Sequence, residues 1–313
     1  MKKNKEIVIA AIQMEAEMGD VRRNLKIVEK LSTIAFKKGA DLVLLPEFFS
    51  SATAFHPKML SAISQFKGEP FKLLFKLSKK YNGIIGGSYL AYRNNNVYNS
   101  FVLVFPDGSY YVHDKDIPTM WENCYYVGGN DDGILKTPIG NIGVALCWEL
   151  IRTQTVKRLK RKVDFVLSGS CWWGSPVISS NWKLINYNRA LLRKTPVRFG
   201  KLLGVPVIHA SHAGYFCGYR PPDEDKLQKR RFLGETKIIN KNGEVLSRLK
   251  AEDGEGVIIN KINIGDEPVI QEKIPDQYWI PDLPAPYLEA WEKQNFFGKK
   301  YYQEVTLPYM DNK

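Results

Sequence analysis

Several signals that would assign a chain of this length are missing. No apolar run approaches the roughly 20 residues that a membrane-spanning helix needs. The N-terminal apolar stretch, Ile7 to Ile12, stops at Gln13. It is short for the core of a secretory leader and lacks a cleavage site, so it reads as a first β-strand. The four cysteines, Cys124, Cys147, Cys171 and Cys217, contain no Cys-x-x-Cys pair, which removes support for a zinc or dithiol redox motif. Scattered without a framework, they fit a reducing compartment, and the cytoplasm is the expected location. Histidine is scarce: only His56, His113, His209 and His212. His209 and His212, three apart on an expected strand, face opposite sides and make poor joint metal ligands. No metal and no cofactor is expected. Internal repeats and low-complexity linkers are also absent.

What is present describes a globular chain. Of 313 residues, 44% are hydrophobic and 25% charged, enough for a sizeable core without disulfides. Lys and Arg outnumber Asp and Glu by 45 to 33, giving a net charge of +12. The concentrated runs are "KRLKRK" (157–162), on an expected helix, and "DKLQKRR" (225–231), in an expected loop. Both read as solvated surface, and nucleic acid is not an expected partner.

Strand and helix patterns alternate for most of the length. Strands are expected at 7–13, 41–47, 83–90, 99–105, 109–115, 140–147, 163–170 and 205–214, with three more near the end. Helices are expected from Asp20 to Gly39 and at 69–80, 153–162 and 179–203. This order indicates an α/β layered fold. Residues 266–313 differ in texture, with six prolines, nine aromatics and little periodicity. So aromatic a tail is expected to lie along the body or a partner subunit, leaving 1–264 as one domain and 265–313 as its extension.

Three apolar segments end in a reactive group. "LVLLPE" ends at Glu47, "YYVHDK" at Lys115 and "GVALC" at Cys147. Open α/β sheets bind ligands at the carboxyl ends of their strands, so an acid, an amine and a thiol could converge there. Each residue alone is ordinary. In order, they resemble the motifs of the nitrilase superfamily, the carbon–nitrogen hydrolases, over about residues 6–264. "LVLLPE" resembles the segment bearing the family's glutamate. "HDKDIPTMWE" resembles the lysine segment, with Lys115, Pro118, Thr119 and Glu122 in the nitrilase spacing. "GVALCWE" resembles the nucleophile segment.

The resemblance implies a four-layer αββα sandwich and a homodimer or larger homo-oligomer. It implies Glu47 as general base, Cys147 as nucleophile, and Lys115 with the backbone N–H of Trp148 as stabilisers of the developing negative charge. Glu122 would support the lysine, and Trp172 or Trp173 would line the substrate pocket. A lysine beside the thiol is expected to favour the thiolate. Glu149 and Arg152 are read as structural, orienting nearby loops. The implied reaction is hydrolysis of a small nitrile or amide through a thioester or thioimidate, with release of ammonia. Leu150 stands where nitrilases proper usually carry Asn after Cys-Trp-Glu, so the sequence sits between subgroups. An N-carbamoyl amine hydrolase is the neighbouring alternative. A non-catalytic binding protein on the same scaffold, with a basic surface for nucleic acid, is the alternative of another class.

Overall fold

The computed structural model describes residues 5–174, 177 and 181–313, with the backbone alone at 223 and 224. Ser175, Pro176 and the first two positions of the expected 179–203 helix lie outside those residues.

The first half of the chain runs β1 (Lys5–Met14), α1 (Val21–Lys37), β2 (Leu42–Leu44), α2 (Lys58–Ala62), β3 (Ser64–Gln65), α3 (Glu69–Tyr81), β4 (Ile84–Arg93), β5 (Asn96–Val104), β6 (Tyr110–Asp114), β7 (Ile134–Thr137) and β8 (Gly140–Val144). It continues with α4 (Thr153–Leu159), β9 (Phe165–Ser170), α5 (Trp182–Leu203), β10 (Val207–His212), β11 (Tyr215–Arg220), β12 (Asp223–Arg231), β13 (Gly234–Ile239), β14 (Val245–Lys250) and β15 (Gly256–Ile264). The tail adds α6 (Ala285–Tyr301), a π turn at Tyr302–Thr306 and α7 (Leu307–Asp311). None of the helices among the described residues is long and apolar enough to cross a membrane.

The large mixed sheet has two halves. One is ordered β6-β5-β4-β2-β1 with β15 beside β1; the other is β7-β8-β9-β10 with β13 and β14 beyond. Among the described residues, the strand ladder that joins them pairs β1 with β10 at Gln13↔Ser211 and Met14↔His212. Side-chain alternation then explains the layers. Ile7, Ile9 and Ala11 share one buried cluster with Leu167 and Ile208 of the other half, so the halves stack face to face. Ala10, Ile12 and Met14 point the opposite way, under Val28, Leu31 and Ala35 of α1. Val166 and Val207 face outward on the second half, beneath Leu159 and Phe199 from α4 and α5. The result is the αββα sandwich. It also explains why β1 is apolar at successive positions: both its faces are buried.

Local chemistry sets the element ends. Asp20 caps α1 by accepting a 3.0 Å hydrogen bond from the Arg23 N–H. The expected strand at 41–47 ends early, at Leu44, and Pro46, which has no N–H to donate, lies just beyond. β4 and β5 form a hairpin longer than expected, turning at Asn94 and Asn95, whose φ values are +49° and +58°. Such two-residue turns favour Asn.

Two expectations about charge and texture need correction. Residues 225–231 are not a loop but part of β12, laddered to β11 through the backbone. Its nearly all-polar sequence carries no apolar alternation to announce a strand. Nor are the basic runs wholly solvated: Arg158 pairs with Asp116 and Glu149, and Arg230 is only 8% exposed. In the tail, α6 lies close against the turn Met120–Cys124, where a Cβ on Gly298 would stand 2.7 Å from Asn123 Cβ. Asn123 also donates to Asn295 at 2.9 Å, and the Tyr302 hydroxyl accepts from the Val97 N–H at 2.9 Å.

Candidate active site

Strand direction gathers the site. β4, β2, β1, β10, β9 and β8 run parallel, and β6, two antiparallel steps from β4, points the same way. Their carboxyl ends therefore open on one edge. Glu47 follows β2, Lys115 follows β6, Cys147 follows β8 and Cys171 follows β9, and all four are buried.

Lys115 is the hub. Its Nζ donates to Glu47 Oε1 at 3.0 Å and to Glu122 Oε2 at 2.7 Å. Burial works against the charged amine, but Glu122 and then Glu47 outweigh it and hold Lys115 well above the ordinary lysine range. Glu122 sits on the 3₁₀ turn Met120–Cys124 and also accepts from the Thr119 N–H at 2.9 Å and from the Tyr126 hydroxyl.

Glu47 is fixed on both oxygens. Asn99 Nδ2 donates to Oε1 at 2.9 Å, and the Cys171 N–H to Oε2 at 2.9 Å. His212 Nε2 donates to the Glu47 carbonyl at 2.7 Å, and burial lowers this imidazole to about 4, so it stays neutral. Burial raises the Glu47 carboxyl to about 7; Lys115 pulls it down and Glu122 pushes it up. The backbone here leaves no slack. A Cβ on Gly169 would stand 2.6 Å from the Glu47 nitrogen and 3.1 Å from the Pro46 carbonyl carbon. Gly169→Ala is therefore expected to push the Glu47 segment away and to cost about 1–3 kcal/mol, the usual penalty for overpacking. Urea denaturation would read the loss.

Cys147 opens the 3₁₀ turn Cys147–Ile151 at φ +51°, a left-handed conformation that non-glycine residues adopt rarely. The sharp strand-to-turn bend presents the thiol at the sheet edge, as strained nucleophile turns do elsewhere. The lysine acts on the thiol in the expected direction, pulling it down, but other surroundings oppose it. Burial, then the Glu47 carboxylate, push the thiol well above its usual range, and Lys115 opposes them without prevailing. The Trp148 N–H lies against the sulfur.

Glu149 and Arg152 lie behind this turn. Glu149 accepts from the Leu146 N–H at 2.7 Å and meets His113 Nε2 at 3.1 Å. Burial alone would lower His113, yet Glu149 and Asp131 raise it to about 10, so a buried imidazolium holds Glu149. Arg152 pairs with Asp116 at 2.7 Å and donates from Nε to the Trp148 carbonyl at 3.2 Å. These groups fasten the nucleophile turn from the side away from the cavity.

The cavity has a volume of about 280 Å³, with Cys147 and Glu122 in its wall. Trp172 and Trp173 both line it. Trp173 stacks on Trp121 at 6.1 Å and 26°, and Trp148 on Trp291 of α6 at 5.7 Å and 3°. Cys171 also lines the cavity. Cys124, buried in the turn at 120–124, is not part of the wall. Among the described residues, no group of His, Cys, Asp and Glu is arranged to hold a metal ion.

Sequence reasoning missed several members. Asn99 and Tyr126 hold the two carboxylates but sit in segments with no motif of their own. Tyr287 and Gln294 bring α6 into the cavity wall, and Arg220 and Arg230 enter from the β11–β12 hairpin. The aromatic density of the tail was the one available signal for the former. A charge run masked the latter.

The protein-family model described as carbon-nitrogen hydrolase matches residues 8–267. A protein named probable nitrilase from Schizosaccharomyces pombe is 25% identical over 289 residues, spanning 86% of this chain and 96% of that one. The N-carbamoylputrescine amidase of Solanum lycopersicum is 30% identical over 237 residues, spanning 69% and 78%. Among solved structures, a carbon-nitrogen hydrolase from Helicobacter pylori G27 superposes with a TM-score of 0.72 at 20% identity, over 82% of this chain and 89% of that one.

Proposed function

The chain belongs to the carbon–nitrogen hydrolase family, and on that premise we propose that it hydrolyses a small amide or nitrile, releasing ammonia, through a covalent intermediate on Cys147. The observation that carries this reading is the Lys115 ammonium held between Glu47 and Glu122 beside a thiol in the cavity wall.

Each group has a task that its surroundings suit. Burial and the neighbouring carboxylate push the thiol up, so attack calls for a base, and Glu47, raised to about 7, is matched to neutral pH. As Cys147 Sγ bonds to the amide carbon, its proton passes to Glu47. The carbonyl oxygen becomes an oxyanion, stabilised by Lys115 Nζ and the Trp148 N–H. Glu47 returns the proton to the nitrogen, the carbon–nitrogen bond breaks and ammonia leaves a thioester. Water then attacks, giving a proton to Glu47. The carbon–sulfur bond breaks, the proton returns to sulfur, and a carboxylic acid departs. A nitrile would enter the same route as a thioimidate. Glu122 keeps Lys115 charged throughout, which prevents the lysine from acting as the base.

An N-carbamoyl amine is the second reading, supported by likeness to the tomato amidase. The test is ammonia release from a panel of small amides, nitriles and N-carbamoyl amines, with Cys147→Ala as the blank. Release by the blank at the wild-type rate would sink the proposal.

A pH profile follows from the same assignment. Glu47 works only as the carboxylate. The fraction of active enzyme therefore falls as pH drops through about 7. kcat/KM is expected to rise about tenfold per pH unit below that point and to level above it. A profile flat from pH 5 to 8 would exclude Glu47 as the base.

A further inference from the structure

The hydrolytic route uses the backbone of Cys171 but not its sulfur. Its N–H donates to Glu47 Oε2 at 2.9 Å, a bond that any residue other than proline could supply at this position. The side chain is nonetheless a second buried thiol in the wall of the cavity that holds Cys147. Of the four cysteines, all unbridged, only these two line that wall. Strand pairing brings them there. β8 and β9 are hydrogen-bonded neighbours in parallel register up to Val144↔Leu167, and the Ala145 N–H still donates to the Leu167 carbonyl at 3.2 Å. Cys147 follows soon after Ala145, and Cys171 directly follows Ser170, the last residue of β9. Neighbouring strands run about 4.7–4.9 Å apart, inside the span of about 4.4–6.8 Å between the Cα atoms of a disulfide. Each sulfur is held by one backbone N–H, that of Trp148 for Cys147 and that of Thr53 for Cys171. Glu47 acts on both thiols, and charge on Cys147 disfavours charge on Cys171, so the two groups feel each other.

Going beyond hydrolysis, we propose that Cys147 and Cys171 form an oxidisable pair, in which hydrogen peroxide entering the cavity converts the nucleophile into a Cys147–Cys171 disulfide and a dithiol restores it. A cavity of about 280 Å³ admits a molecule as small as peroxide to both sulfurs. Burial disfavours the thiolate at each of them, so the adjacent base matters. Glu47 takes the Cys147 proton, and the sulfur displaces hydroxide from the peroxide O–O bond. The hydroxide takes up that proton and leaves as water, and Cys147 holds a sulfenic acid. The Cys171 sulfur then attacks the Cys147 sulfur. The S–O bond breaks, the S–S bond forms, and the hydroxyl departs with the Cys171 proton as a second water. The two thiols lose two electrons between them, and the peroxide gains two. Without Cys171, the sulfenic acid would meet more peroxide and pass to sulfinic acid, which a thiol reductant does not reverse. The second thiol thus turns permanent loss of the nucleophile into a reversible one.

The test is hydrogen peroxide on the reduced, full-length protein, followed by thiol blocking and tryptic digestion without reductant. Trypsin cuts at Arg152 and Lys162, so the two cysteines fall on separate peptides. The expected product is a joined pair of these peptides, lighter than their sum by about 2 Da for the two hydrogens lost. It should grow in step with the loss of ammonia release. Dithiothreitol should remove it and return most of the lost rate. Cys171→Ala, measured against its own untreated rate, should be inactivated by the same exposure without recovery, and its Cys147 peptide should gain about 32 Da as the sulfinic acid. Three results overturn the inference. One is a wild type with no joined peptide, whether Cys147 carries oxygen alone or stays unmodified. Another is Cys147 joined instead to Cys124 or Cys217. The third is recovery of Cys171→Ala by dithiothreitol as complete as that of the wild type. The peptide masses are read without substrate, so they decide the matter even if no amide of the panel is hydrolysed.

Discussion

Lys115→Met is expected to abolish turnover and to destabilise the fold in the same stroke. The Glu47 and Glu122 oxygens that Nζ bridges, at 3.0 and 2.7 Å, are both buried. Without the ammonium they face each other as carboxylates in a water-poor site, and one must take up a proton or the site must open. Removing one partner from a buried charge cluster costs about 3–5 kcal/mol. The rate should fall by about 10³-fold or more, because the oxyanion loses its cation and the base loses its ionised state together. Thermal unfolding and ammonia release read the two effects separately. Lys115→Arg should restore part of the stability but little of the rate. A bulky planar guanidinium does not occupy the position of a compact ammonium. A Lys115→Met enzyme with both melting temperature and turnover near wild type would contradict the charge arrangement itself.

Cys147→Ala should have the largest effect on rate and a small one on stability. It removes the sulfur that forms the intermediate and leaves a side chain of similar shape at the same left-handed backbone position. Turnover should fall to the blank, with the melting temperature close to wild type. Cys147→Ser should be nearly as inactive. A hydroxyl is much harder to deprotonate than a thiol, and a base near 7 cannot make up the difference. Adding Glu47→Gln to Cys147→Ala should cost almost nothing further, since the groups act as one unit.

How far the sequence reveals this site depends on which physical property a residue's role rests on. Glu47, Lys115 and Cys147 could be singled out because each follows an apolar strand, and parallel strands bring their ends to one edge. Asn99 lies within β5 and acts only because β5 passes beside the Glu47 turn; nothing local marks it. Arg230 stands in a run of charges that reads as surface, and only the hairpin's course shows it turned inward over Trp173. α6 was hidden for a packing reason. Trp291 faces Trp148 while Phe297 meets Phe55, so its apolar residues serve more than one neighbour and show no single helical stripe. The influences on the thiol divide in the same way. A neighbouring lysine is legible as a motif, whereas full burial beside a carboxylate is a property of the fold.

The central claim is that Cys147 carries the acyl group during hydrolysis. The most direct measurement is to quench the enzyme with acid during turnover of an amide and map its peptides by mass spectrometry. The account predicts the acyl mass on the peptide bearing Cys147, absent from Cys147→Ala and absent from the peptides bearing Cys124, Cys171 and Cys217. Turnover with no acylated cysteine, or with the acyl group on Cys171 instead, would contradict it.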